Sequence, residues 1–474
     1  MKRSALKKSI FSLYILFVGC SFSSNAAFLK TYDDLKKTTI FSESHYVSYV
    51  DQITMKGGGL FSWDANELSE EVWGLIMKSD QKKAGSWVRQ NVTSLNPDWF
   101  GARHLKNATI AMQLSFAALG YTTQEIRSRY GIYINDISIN DYPDWAAMQM
   151  MCKLQEKGWL SIELPSGEYF INRSIILPEP TQASKVVQYS IEGNGSWFYS
   201  TSEQGFPFFY TMPQDQKESQ NVFCARRFTI RNLSIVGKKS AIGSIGIEIG
   251  GTFQTLIENI HLLGLDTGIV LRHAMSSTIL RCNSVGCKHI SYFLGSGRGA
   301  WEGGNSTNSG SNQSAVVSCR QFSAEGQYAG VYITESSECR VENFVLDGGG
   351  KRHTSFCIYI DTRNATTVKD GYISGIHGEA GVDSSLVKFR GNNASFVVEN
   401  LFVQYPCNLV ELDGNSQIRC AQFSYFPGEC TFSNKGNGTW KFENVFNRAK
   451  DILWKSDAST TIPEERRVTN DKRL

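Results

Sequence analysis

Glu399-Asn400-Leu401-Phe402-Val403 decides the fold of this 474-residue chain, because it is one copy of a recurring unit: a charged residue, an asparagine, then alternating apolar side chains. Arg231-Asn232-Leu233-Ser234-Ile235, Glu258-Asn259-Ile260-His261-Leu262, Glu342-Asn343-Phe344-Val345-Leu346 and Glu443-Asn444-Val445-Phe446 repeat it. Weaker copies begin at Cys282-Asn283, Arg320-Gln321-Phe322, Lys369-Asp370-Gly371 and Ala421-Gln422-Phe423. The anchors at 232, 259, 283, 321, 343, 370, 400, 422 and 444 are spaced by 27, 24, 38, 22, 27, 30, 22 and 22 residues. Between them runs a second alternating strand, as in Gly246-Ile247-Glu248-Ile249, Gly330-Val331-Tyr332-Ile333, Cys357-Ile358-Tyr359-Ile360 and Leu409-Val410-Glu411-Leu412. Short strands at such a period, with Gly and Asn at the corners and no helical spacing between, are the signature of a parallel β-helix. The Leu spacing of the competing leucine-rich-repeat solenoid is missing. A coil cannot bury its apolar face alone, so coils stack and the anchor amides form a ladder at tight turns. That makes the anchor asparagines structural.

The amino terminus reads as an address. Lys2, Arg3, Lys7 and Lys8 precede an apolar run at 10–18 and the small-residue site Ser24-Asn25-Ala26, the pattern of a secretory signal cleaved after residue 26. The apolar run is too short to span a bilayer. Phe17-Val18-Gly19-Cys20 also resembles a lipoprotein box, which would put a lipid anchor on Cys20. Removing four basic and no acidic side chains takes the formal charge from +3 to −1, so a nucleic-acid partner loses its electrostatic support. Export to the periplasm or the exterior also leaves ten of the eleven cysteines in an oxidising compartment, with Cys282/Cys287 and Cys420/Cys430 as local disulfide candidates. Neither a CxxC pair nor a histidine cluster offers a metal site, and no cofactor motif is present.

Ahead of the repeat, 27–97 reads as a small head domain with strands in Gly57-Gly58-Gly59-Leu60-Phe61-Ser62-Trp63-Asp64 and Gly85-Ser86-Trp87-Val88-Arg89. A lead-in segment, 98–178, carries a helix over 142–157, with Asp141 or Asp144 as its cap, helix-like stretches at 109–119 and 124–129, and a strand-turn-strand at 160–171. The solenoid occupies 179–447 and a tail 448–474.

The ordered series Gly-Gly-Gly-Leu-Phe-Ser-Trp-Asp, Gly85-Ser86-Trp87-Val88-Arg89, Trp99-Phe100-Gly101-Ala102, Asp144-Trp145-Ala146-Ala147-Met148-Gln149, Leu164-Pro165-Ser166-Gly167-Glu168-Tyr169, then Asn-led coils, resembles the pectate-lyase-like superfamily. Within it the chain is most similar to bacteriophage tailspike-type depolymerases and their bacterial exopolysaccharide-modifying relatives. The likeness covers most of 30–446; it departs where Arg103 to Asn140 replaces the family's short acidic turn before the helix. The resemblance implies an all-β, right-handed, single-stranded parallel β-helix with a capping helix, often a homotrimer. It further implies cleavage of a bacterial extracellular or capsular polysaccharide, by hydrolysis or by β-elimination on a uronic acid, with non-catalytic binding or assembly as the other class. The superfamily shares no universal catalytic motif, so no residue is carried over.

Candidate residues come from the columns instead. Four positions after each anchor stand Val236, Leu263, Cys287, Glu325, Asp347, Ser374, Gln404 and Phe426. Glu325 and Asp347 thus fall on successive coils, about 5 Å apart, the separation of a retaining glycosidase pair, or farther if splayed as an inverting pair needs. The second strands offer a rival set: Tyr332, Tyr359, Lys388 and Glu411 facing outward, with Thr334, Asp361, Arg390 and Asp413 two positions on. A base among carboxylates and cations there would suit β-elimination, and the tyrosines would suit sugar stacking. In the 38-residue interval, Trp301 and Glu302 lie in a polar loop that could wall a groove.

Overall fold

The computed structural model describes residues 27–105, 114–158, 161–178, 187–211, 226–238, 241–295, 317–325, 329–336, 338–347, 356–362, 365–374, 385–403, 408–421, 431–443 and 453–456. The chain divides into two compact units, Met1–Val92 with Asp98–Gly101, and Thr93–Pro97 with Ala102–Leu474.

The first unit holds a five-stranded sheet and helix α1 (Tyr32–Lys37), which starts on a capping box between Thr31 and Asp34. Its centre is Arg89, whose buried guanidinium donates to the carbonyls of Gly57 (2.7 Å), Gly58 (2.9 Å) and Gly74 (2.6 Å) and to the Tyr32 hydroxyl, and lies over the rings of Phe61 and Trp99. Those contacts explain the glycine run. A Cβ on Gly59 would sit 2.0 Å from Arg89 Nη1, and Gly57 combines φ +76° with a Cβ position 2.0 Å from the Asp98 carbonyl.

In the second unit, successive strands alternate between a 13-stranded and an 11-stranded sheet, and every pair within them is parallel. Cys339–Asp347 belongs to the first, Phe356–Thr362 to the second, Ala365–Ser374 to the first again. This is the expected parallel β-helix. Inside the first sheet, Ile230, Ile257, Ile279, Cys319, Val341, Val368, Val398 and Cys420 stack in one register, all essentially inaccessible to solvent. Such like-on-like columns bury each coil's apolar face against the next.

Each coil of that sheet turns at one residue in the left-handed region: Asn194, Asn232, Asn259, Arg281, Gln321, Asn343, Asp370 and Asn400, with φ between 49° and 59°. Asn tolerates that region better than other side-bearing residues and also supplies a side-chain amide. Asn232 Nδ2 donates to Glu192 Oε1 (2.8 Å), Asn259 Nδ2 to Asn232 Oδ1 (2.7 Å) and Asn400 Nδ2 to Asp370 Oδ1 (2.8 Å). One corner differs from expectation. Arg281, not Asn283, makes the turn, so the column four residues on contains Val285 where the even spacing had placed Cys287. Gln422 and Asn444 lie outside the described residues.

Neither candidate disulfide is present among the described residues. Cys282 and Cys287 are separate buried thiols, as are Cys152, Cys319, Cys339, Cys357 and Cys420, while Cys430 lies outside the described residues. Cys319 and Cys420 take core positions that neighbouring coils fill with Val and Ile. Burial pushes the Cys282 thiol up to about 12 and that of Cys287 to about 11, which suppresses the thiolate.

Helix α2 (Thr123–Tyr130) begins on a Thr122–Glu125 capping box, and α3 (Pro143–Glu156) matches the helix read from sequence. Residues 114–119, expected as helix, form turns instead, held by backbone bonds from Phe116 and Ala117 to the carbonyls of Asp141 and Ile139. The cap of α3 is neither Asp141 nor Asp144: the N-cap is Tyr142, ahead of Pro143. Asp144 is buried and accepts from the backbone N–H groups of Arg103 (2.6 Å), His104 (3.1 Å) and Phe170 (2.9 Å), while Asp141 pairs with Arg173. From α3, Gln149 closes the edge of the 11-stranded sheet. Its amide accepts from Ile176 N (2.7 Å) and donates to Ile176 O (3.1 Å), replacing the next strand.

Gln149→Leu, which orphans both Ile176 groups, should lower unfolding stability by about 1–3 kcal/mol in urea denaturation. The seven buried cysteines should resist a thiol reagent in the native protein and label only on unfolding, as peptide mapping by mass spectrometry would read.

Candidate functional site

After its left-handed corner each coil of the 13-stranded sheet presents two outward positions. The first column runs Trp197, Ser234, His261, Asn283, Ser323, Val345, Tyr372, Phe402. The second, two residues on, includes Tyr199, Val236, Leu263, Val285, Glu325 and Asp347. Stacked rings stand at both ends, Trp197 against Tyr199 (6.2 Å between centroids) and Tyr372 against Phe402 (5.1 Å). Val345 and Tyr372 are 45% and 38% exposed, so this face meets solvent.

Glu325 and Asp347 are exposed and directly registered on neighbouring strands, as the column reading required. Neither carboxylate has a hydrogen bond or ion pair among the described residues. Several other carboxylates of this sheet are matched by cations: Glu192 by Arg231, Glu258 by Arg281, Glu342 by Arg320 and Lys369. Neighbouring strands lie about 5 Å apart, and like charges placed directly opposite on them are destabilising.

A cavity of about 440 Å³ opens on the same face, lined by Asn194, Gly195, Asn232, Leu233, Ser234, Asn259 and His261. Burial lowers the His261 pKa, holding the ring neutral, and its Nε2 is buried without a partner. The Trp197 ring meets the imidazole edge-on at 6.0 Å. Sequence reading passed over this cavity, because its residues come from three strands and the asparagines were counted as corners. The available signal was a histidine two places after an anchor, in the outward column.

On the 11-stranded sheet the rival column is registered as expected, Tyr332, Tyr359, Lys388, Glu411. It is far less open than the outward assignment implied. Tyr332 and Tyr359 stack at 4.6 Å, and Tyr332 packs against the buried group Ile245, Val270, Ile290 and Phe293. Glu411 is only 2% exposed and sits between Lys388 (2.9 Å) and Lys435 (3.3 Å). The Tyr359 hydroxyl is hydrogen-bonded to the Arg390 guanidinium, with Asp361 and Asp413 registered beside Arg390. Burial pushes the Tyr359 phenol up, and the Tyr359 contact raises Arg390. Thr334 is buried, its hydroxyl packed over Gly295, and a register shift between Ile333 and Ser336 leaves it unregistered with Asp361. Asp361, Tyr332, Tyr359, Lys388 and Arg390 therefore belong to a different sheet from Glu325 and Asp347, and the fold does not bring the two sets together. Trp301 and Glu302 lie outside the described residues. Among the described residues no cluster of metal-ligating side chains occurs, and no helix is long and apolar enough to cross a membrane.

No family model matches the chain, and no curated protein matches it. Solved structures do. Tailspike protein gp49 from the Acinetobacter baumannii bacteriophage Fri1, described as a capsular polysaccharide depolymerase, is 11% identical over 92% of this chain and 76% of its own, with a TM-score of 0.55. The gp42 tailspike of Acinetobacter phage vb_AbaP_AS12 is 13% identical over 95% and 80%, TM-score 0.55. The enzymatically active domain of tailspike protein 2 from bacteriophage CBA120 is 10% identical over 92% and 60%, TM-score 0.54. The chain spans less than two thirds of the length of several such proteins, 64, 60 and 51% for three of them. These likenesses bear out the tailspike-like parallel β-helix.

Removing one charge of the unmatched pair should relieve repulsion. Asp347→Asn is expected to raise stability by about 0.2–1 kcal/mol in urea denaturation, with a smaller gain at high salt.

Proposed function

We propose that the chain is an exported enzyme that degrades a bacterial extracellular or capsular polysaccharide by glycosidic hydrolysis along the outward face of the 13-stranded sheet. The observation that carries this reading is the pair Glu325 and Asp347, exposed, in register, without a cation among the described residues, and one strand from the Tyr372–Phe402 platform. From the Trp197 strand to the Phe402 strand is seven strand spacings, about 34 Å, room for several sugar residues. Stacked rings suit the apolar faces of pyranoses. Side chains that keep the spacing of their strands, about 5 Å, suit a retaining mechanism. One carboxylate attacks the anomeric carbon while the other, as the acid, protonates the leaving oxygen. The second then deprotonates the water that releases the sugar. The depolymerase described for phage Fri1 supports this substrate class, and the basic, apolar and small-residue leader supports export.

β-Elimination is the less supported chemistry, because the cations it would use on the other sheet are committed: Lys388 to Glu411 and Arg390 to Tyr359.

The test is to mix the purified chain with capsular or secreted polysaccharide from the producing cell and follow viscosity, reducing ends and the ultraviolet absorbance of unsaturated uronates. New reducing ends without that absorbance, with retained anomeric configuration by NMR, are expected. Glu325→Gln and Asp347→Asn should each cut the rate by about 10²–10⁴-fold, whereas Lys388→Met should leave it within a few-fold. Full activity in both carboxylate variants, or absorbance that depends on Lys388, would overturn the assignment.

A further inference from the structure

The cavity beside His261 is a built site that the cleavage reading does not use. At about 440 Å³ it falls within the range of small-ligand pockets. Every polar group lining it is neutral: the amides of Asn194, Asn232 and Asn259, the Ser234 hydroxyl and the His261 imidazole. The adjoining charges are spent on each other. Glu192 accepts from Asn194 N (3.1 Å), Asn232 Nδ2 (2.8 Å) and Arg231 Nε (2.5 Å).

Three groups nevertheless keep unused hydrogen-bonding capacity. His261, whose side chain lines the cavity, has a buried Nε2 with no hydrogen-bond partner among the described residues, an arrangement that costs free energy. Ser234 is largely buried, and its hydroxyl has no protein partner among the described residues. Asn259 gives its Nδ2 to Asn232, yet its Oδ1 receives nothing from the next coil. The reason is the corner at Arg281, whose guanidinium turns to Gln321 Oε1 (3.2 Å) and Glu258 Oε1 (3.3 Å). The amide ladder stops here, leaving an acceptor where the next rung's donor would be.

We infer that this cavity is a subsite for one uncharged pyranose of the polysaccharide. Hydroxyls of the sugar both donate and accept, matching an imidazole, an amide oxygen and a serine. Trp197 supplies a ring beside them for a C–H face. Among the described residues that line the cavity there is no cation to meet a uronate or phosphate. The position follows from register: His261 pairs with Asn283 and Asn283 with Ser323, on the strand that ends in Glu325. Two strand spacings, about 10 Å, separate cavity and carboxylates, so the bound sugar lies about two residues from the scissile bond. The inference rests on the polysaccharide reading but not on hydrolysis.

Binding of neutral methyl pyranosides (glucoside, galactoside and N-acetylglucosaminide) and of methyl glucuronide to the full chain, measured by saturation-transfer NMR and calorimetry, tests it. At least one neutral glycoside should bind, with the glucuronide at least tenfold weaker. His261→Phe and Ser234→Ala, both near-isosteric, should each weaken binding about tenfold. Lys388→Met, on the other sheet, should bind as the native chain does. Absence of binding by every neutral glycoside, equal binding of the glucuronide, or native affinity in both cavity variants would overturn the inference. Polymer cleavage without glycoside binding removes the subsite and leaves the hydrolase, whereas binding without cleavage removes the hydrolase and leaves the subsite.

Discussion

Everything in the solenoid depends on a single backbone constraint, the left-handed residue at which each coil of the 13-stranded sheet turns. A strand alternates its side chains strictly, so a continuous strand cannot wrap an interior. One residue at positive φ resets the alternation: Val341 points inward, Glu342 and Asn343 occupy the corner, and Phe344 and Leu346 point inward again. The conformation costs an ordinary L-residue roughly 1–2 kcal/mol. Asn lowers that cost, and its amide bonds to the corner of the neighbouring coil, so the bend also fixes the stacking register.

That constraint sets how much of the protein was legible. Asn followed by alternating apolar residues is a local pattern, and it placed the coils, the interior columns and the Glu325–Asp347 register. Where the corner is made by Arg281 the signal vanished, because nothing about arginine announces positive φ. Spacing alone then moved the anchor two residues, to Asn283, and put Cys287 into the wrong column. The second sheet misled in another way. Alternation correctly assigned Tyr359 and Glu411 to its outer face, but an outer face need not be exposed. On the strands before them the same register holds Val270 and Phe293, both buried. The cysteines followed the same logic, since an interior column accepts a small apolar thiol as readily as valine. Asp144 escaped because its partners, Arg103, His104 and Phe170, come from segments that only the tertiary fold brings to α3.

The candidate site follows from the interruption of the ladder. Amide pairs run from Asn232 to Asn259 and join Asp370 to Asn400, whereas Arg281 and Gln321 occupy the corners between them. The cavity lies at one margin of that break and the carboxylate pair beside the other. A regular stack offers every coil the same surface, so a position on it becomes distinctive only where the repeat is broken.

Gln149 carries an implication for how a stack of coils is brought to an end. A parallel sheet with an open edge is a growing end, and the cross-β arrangement of fibrils differs from a stack of coils mainly in drawing its strands from separate chains. At Ile176 the next strand is replaced by one side-chain amide that satisfies both edge groups and offers nothing beyond to pair with. It acts as a chain terminator for hydrogen bonding at this edge of the 11-stranded sheet, on an architecture that has no intrinsic length.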